Sequence, residues 1–176
     1  MLYHINQKDY QSLLQNRDIS NIEKTEMFAL YSRINTLYMI AKAGSGHIGT
    51  SFSSMDIFSW MHLNVLTDDD LFFSSKGHDA PGLYSVLIGI GKLNYEYIHQ
   101  LRRLNGLPGH PDVTTTPCMV TNTGSLGMGI SKAKGLALAN RLDNKKGRVY
   151  VLTGDGELQE GQFWESLSGA VNGKFE

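Results

Sequence analysis

Apolar side chains at Met27, Leu30, Ile34, Leu37 and Ala41 recur at steps of three and four, which sets one stripe along one face of a helix. Just ahead of them, Ser20-Asn21-Ile22-Glu23 has the spacing of a capping box, in which Ser20 and Glu23 satisfy free backbone donors. The helix is predicted to stop at Gly44, the first glycine of the chain. Further helices are predicted over 54–66, 83–90, 95–104, 130–142 and 160–171. The run Leu71 to Phe73 reads as a short apolar strand. Arg148-Val149-Tyr150-Val151-Leu152 reads as a stronger one, β-branched, apolar and bounded by Gly147 and Gly154. Helices alternating with short apolar strands predict an α/β fold, a mainly parallel sheet flanked by helices.

Composition narrows the class. The 176 residues suit one domain of ordinary size, and 41% hydrophobic with 19% charged residues fits a packed globular chain. A net charge of -1 and a pI near 6.6 argue against phosphate-driven nucleic-acid binding. The single cysteine, Cys118, excludes an internal disulfide framework and a cysteine-rich zinc site. No apolar run has the length of a membrane span, and the first residues lack a signal-peptide core, so a soluble, cytoplasmic chain is expected. No glycine precedes Gly44, and all four prolines fall between Pro81 and Pro117. Residues 1–22 are read as a leader and 23–176 as one domain. The run Asp68-Asp69-Asp70 reads as a solvated turn, because a calcium loop needs ligands at alternate positions and a later Glu.

Three features carry candidate chemistry. The strand at 148–152 runs into Thr153-Gly154-Asp155-Gly156-Glu157 and then a helix, and ligands of open α/β sheets sit at the carboxyl ends of strands. Neither Gly-Lys-Ser/Thr nor Gly-x-Gly-x-x-Gly follows this strand, so the two commonest nucleotide loops are excluded. Asp155 has two readings: a ligand for an Mg²⁺-like ion that also takes phosphate oxygens, or a helix cap. His47, His78 and His110 each follow a glycine in a loop-like stretch, a pattern that points to a shared pocket for proton exchange or oxygen binding. His4, His62 and His99 lack it. Thr123-Gly124-Ser125-Leu126-Gly127-Met128-Gly129 permits close backbone approach, either to a ligand or between helix and sheet.

Taken together, these segments resemble the transketolase family, specifically its N-terminal thiamine-diphosphate-binding domain. The resemblance rests on Ser45-Gly46-His47-Ile48-Gly49, Ser75-Lys76-Gly77-His78, Pro108-Gly109-His110-Pro111-Asp112, the segment from Gly124 to Gly129, and Gly154-Asp155-Gly156-Glu157-Leu158-Gln159-Glu160-Gly161. These blocks stand in family order from about Thr25 to Ala170, and the last is most similar to family members whose two halves are separate chains.

The resemblance implies roles. Asp155 would bind a divalent ion, Mg²⁺ or Ca²⁺, and Gly156 would lie against the diphosphate, which His78 would contact. Gly124 and Leu126 would touch the aminopyrimidine ring. His47 and His110 would bind ketose hydroxyls and move protons. Glu160 and Glu165 would lie near a subunit interface, Glu160 also close to the cofactor. The implied activity is transfer of a two-carbon ketol unit between sugar phosphates, by a homo-oligomer or heterotetramer that includes a chain carrying the pyrimidine domain.

Ile48 and Ser125 stand where the family commonly has proline. The metal-binding asparagine of the family motif would fall beyond Glu176, as would the pyrimidine domain with its activating glutamate. The fold is therefore expected to be incomplete at the C-terminus, and the chain inactive by itself. Two alternatives stand beside this reading: an inactive transketolase remnant, and a part of another thiamine-diphosphate enzyme, such as a deoxyxylulose-phosphate synthase or a 2-oxoacid dehydrogenase. His47 together with His110 favours a sugar over a 2-oxoacid.

Overall fold

The computed structural model describes residues 2–174, arranged in two compact units. The first comprises Met1–Val65 and His78–Cys118, the second Leu66–Gly77 and Met119–Glu176.

In the first unit, α1 (Gln7–Gln15) is opened by a capping box between Asn6 and Asp9 and buries Tyr10 and Leu13. The predicted box of Ser20 and Glu23 opens α2 (Asn21–Ala43), and Gly44 ends it in the left-handed region at φ 73°. The apolar stripe does share one face of α2, but that face points outward. Met27, Leu30 and Leu37 are 40%, 49% and 49% exposed. The buried face carries Thr25, Phe28, Ala29, Ser32, Asn35, Thr36 and Met39.

The reason is the neighbour. Helix α5 (Ala80–Gly89) is buried at every position. A helix so enclosed favours small partners that let backbones close up. A Cβ on Gly89 would lie 2.6 Å from the Tyr10 ring and 2.8 Å from that of Phe28. The polar groups on the buried face of α2 are satisfied, as burial demands. Asn35 Oδ1 accepts from the Ile5 amide at 2.7 Å, and Asn35 Nδ2 donates to the Ile5 carbonyl at 3.1 Å. Ser85 Oγ donates to the Ser32 carbonyl at 2.9 Å.

The helix predicted at 54–66 begins earlier and is broken into α3 (Ile48–Ser53), α4 (Met55–Trp60) and a wide π turn, Met61–Val65. Serine hydroxyls that compete for backbone carbonyls favour such a break. Ser51 Oγ donates to the His47 carbonyl and Ser53 Oγ to the Thr50 carbonyl. The helix predicted at 95–104 shrinks to a 3₁₀ turn, Tyr95–His99. Arg102 (φ 55°) and Asn105 (φ 59°) turn left-handed there, which no right-handed helix accommodates.

Burial sets a pH dependence in this unit. It lowers the pKa of His62, whose Nδ1 lies 2.8 Å from the Phe58 carbonyl oxygen, and also that of His99, which Lys42 and His4 depress further. A histidine whose folded pKa is depressed takes up its proton first in the unfolded chain. Its contribution is complete above the ordinary value of about 6.5 and is lost as pH falls through the folded value. The carboxyls of Glu23 and Asp56 are also lowered, by Ser20 and by Arg33 respectively, and weaken the fold only in stronger acid. Thermal midpoints measured from pH 7.5 to 5 should therefore fall, and His62→Gln should reduce the slope. An unchanged slope would remove His62 from the account.

In the second unit, β1 (Leu71–Ser74) and β2 (Val149–Leu152) pair in parallel, with Leu71 opposite Val149 and Ser74 opposite Leu152. Helix α6 (Gly129–Leu142) packs on β2, and α7 (Gly161–Asn172) on α6. The chain is thus α/β, as the alternation predicts. The acidic run is a turn, but Asp70 is more than a solvated residue. Its Oδ2 accepts from the Thr67 amide at 3.0 Å and its Oδ1 from the Arg148 amide at 2.7 Å, which lowers its pKa and fixes the entry to both strands. Beside it, a Cβ on Gly147 would fall 1.7 Å from the Asp69 carbonyl oxygen, so only glycine passes. Among the described residues no helix is long and apolar enough to cross a membrane.

Candidate functional site

The candidate residues divide between the units. His47, His78 and His110 belong to the first; Gly124, Leu126, Asp155, Gly156, Glu160 and Glu165 belong to the second.

In the first unit, the turn after Gly44 brings exposed His47 to the start of α3, and His78 sits just ahead of α5. Their ring centroids are 4.7 Å apart at 62°. His110 follows Gly109 on an exposed loop. Partial burial lowers its pKa, the neighbouring His78 and Arg102 lower it further, and Asp79 opposes them. His47 and His78 thus lie side by side, and His110 stands near enough to His78 to feel its charge. Sequence reasoning passed over Arg102. Its Nη1 donates to Ser45 Oγ at 3.2 Å, and its guanidinium lies so close to Gly109 that a Cβ there would sit 2.9 Å from Nε. Arg102 thus links the loop of His47 to that of His110, and its charge contributes to lowering the His110 pKa. No local motif marks it; the link is long-range.

In the second unit, β2 delivers the Gly154-Asp155-Gly156 turn at its carboxyl end. Asp155 has helical angles and makes no side-chain capping bond, so the cap reading is not realised. Its side chain is exposed. A Cβ on Gly156 would meet nothing within 4 Å, which leaves open space over the turn. A Cβ on Gly154 would meet the Lys76 side chain at 3.0 Å, and Lys76 is itself buried. In the loop before α6, Gly124 (φ 117°) and Gly127 (φ 80°) take left-handed angles that other residues rarely adopt, and Leu126 is partly exposed. Glu160 and Glu165 are exposed at the start and on the first turns of α7. Gly127 packs on the Glu160 stem, where an added Cβ would lie 3.0 Å away.

Between these loops lies Glu157, quoted within the sequence motif but given no role there. It is 1% exposed. Its Oε1 accepts from the Gly127 amide at 2.8 Å and from Ser75 Oγ, and its Oε2 accepts from the Gly154 amide at 3.2 Å. The only sequence signal was an acidic residue following a glycine turn.

The donor set decides what such a site could hold. Among the described residues no three His, Cys, Asp or Glu side chains cluster to cage a metal. Mg²⁺ commonly takes one or two carboxylates and completes its octahedron with phosphate oxygens and water. Asp155, exposed beside an open glycine turn, fits an ion shared with a diphosphate and does not fit an all-protein cage.

A family model described as transketolase, thiamine diphosphate binding domain, matches residues 24–175. An apulose-4-phosphate transketolase subunit of Actinobacillus succinogenes is 36% identical over 158 residues, which is 84% of this chain and 57% of that protein. The 6-deoxy-6-sulfo-D-fructose transketolase subunit SqwG of a Clostridium species is 37% identical over 141 residues, 74% of this chain and 51% of the relative. Human transketolase is 36% identical over 147 residues, 77% of this chain and 23% of its own. The chain spans about half the length of the two bacterial subunits.

Proposed function

From the premise that the chain belongs to the transketolase family, through its thiamine-diphosphate-binding domain, we propose that it is the diphosphate-binding part of an enzyme moving a two-carbon ketol unit between sugar phosphates. The observation that carries this reading is the turn at the end of β2, where exposed Asp155 makes no capping bond and Gly156 leaves open space. Asp155 would hold a divalent ion, Mg²⁺ or Ca²⁺, against the diphosphate, with Gly156 beneath it and His78 as a further donor. Gly124 and Leu126 would border the aminopyrimidine, with Glu160 nearby. When bound, thiamine diphosphate supplies the carbanion chemistry. His47 and His110 would bind the ketose hydroxyls and carry protons, a task suited to imidazole.

Relatives named as single subunits of transketolases support a partner, here a chain carrying the pyrimidine domain, with Glu160 and Glu165 close to the shared interface. The assembly would act in the cytoplasm, as a homo-oligomer or heterotetramer. To test the reading, the chain is mixed with its partner subunit, Mg²⁺ and thiamine diphosphate, then given a ketose phosphate and an aldose phosphate. The expected result is a new ketose two carbons longer than the aldose, and a released aldose two carbons shorter than the donor. Decarboxylation of 2-oxoacids without ketol transfer would overturn the reading.

A further inference from the structure

Among the described residues of the second unit, Glu157 is the most deeply buried carboxylate side chain, and it comes directly after the open turn. A buried carboxylate is costly unless donors surround it. Here the donors come from three separate segments: Ser75 just after β1, Gly127 before α6, and Gly154 just after β2. Two of them are backbone amides, so the bonds fix main chain and not merely side-chain rotamers. Gly127 can present its amide this way because it accepts φ 80°. The contact is also tight: a Cβ on Gly129 would lie 2.4 Å from Ser75 Oγ.

We propose that Glu157 is a positioning residue, a buried clamp that holds the loop of Gly124 and Leu126 and the turn of Asp155 as one preformed cradle, and thereby sets cofactor affinity more than the chemical step. The inference rests on the reading of Asp155 and Gly156 as the diphosphate site. A preformed cradle spares the ligand the entropy of ordering two loops. An amide in place of the carboxylate would turn an NH₂ donor toward one of the two N–H donors, leaving buried groups unmatched.

The test uses the complex with its partner chain and compares Glu157→Gln, Ser75→Ala and Asp155→Ala. Thiamine-diphosphate affinity is measured at saturating Mg²⁺, turnover at saturating cofactor, and amide hydrogen exchange across the chain. Glu157→Gln should weaken cofactor binding by about tenfold or more, corresponding to one lost buried hydrogen bond to a charged group. Its turnover at saturation should stay within about twofold of wild type. Exchange should rise at Gly127 and Gly154 but not in α2 or α5. Ser75→Ala, which removes one donor and keeps the carboxylate, should show a smaller shift in the same direction and serves if Glu157→Gln fails to fold. Asp155→Ala should lose the cofactor while Gly127 and Gly154 stay protected. Wild-type affinity in Glu157→Gln, or unchanged exchange at both glycines, overturns the clamp. A wild-type complex that binds no thiamine diphosphate overturns the functional reading instead, and the exchange data then judge the clamp by themselves.

Discussion

On the proposed reading, Asp155→Ala in the complex with the partner chain should weaken Mg²⁺-dependent thiamine-diphosphate binding on the order of 100-fold or more, because it would remove a direct charged ligand of the bridging ion. The side chain is exposed and makes no capping bond, so its loss should cost the fold little. Thermal stability without cofactor should stay close to wild type. Asp155→Asn keeps one oxygen without the charge and should fall between the two. Affinity is read by calorimetry over a series of Mg²⁺ concentrations. An Asp155→Ala complex that bound the cofactor within a few-fold of wild type, with unchanged metal dependence, would take the metal role away from this residue.

His47→Ala and His110→Ala should behave in the opposite manner. They should retain the cofactor and lose turnover, on the order of 10²–10⁴-fold for a group that transfers a proton in the transition state. The pH profile separates the two. Partial burial and the charges of His78 and Arg102 hold the His110 pKa below that of an ordinary histidine. A step needing neutral His110 therefore persists in more acid solution than an ordinary histidine would allow, and its acid limb lies below pH 6.5 or so. Arg102→Gln removes one of those charges and should move the limb toward higher pH. Wild-type turnover in His110→Ala, or a limb indifferent to Arg102, would exclude this assignment.

What the sequence makes legible follows from the range of the forces involved. The capping box at Ser20 and the stop at Gly44 depend on atoms a few residues apart, and both read correctly. The strand at Val149–Leu152 and the turn after it are local in the same sense. The glycine–histidine pairs were recognisable because the same local pattern recurs three times. The outward turn of Met27, Leu30 and Leu37 was not legible, because it depends on α5, some 40 residues further on, being buried on every side. Arg102 and Glu157 stayed hidden for a related reason. The partners of Arg102 are Ser45 and Gly109, and those of Glu157 include Ser75 and Gly127, so the meaning of each side chain lies in loops that only folding brings close.

The pairing of β1 with β2 has a consequence for how the chain is made. Residues 71–74 leave the ribosome long before 149–152, the strand with which they pair in parallel. All of 75–148 must be synthesised in the interval, which at ~5–20 residues per second lasts roughly 4 to 15 s. The first unit can gather its helices during that time, since most of its segments have already emerged. An apolar strand without a neighbour is a template for pairing with other chains. Until Val149 arrives, the nascent Leu-Phe-Phe run therefore lacks the strand it pairs with in the folded chain, and added chaperone that shields the run should raise the yield in a cell.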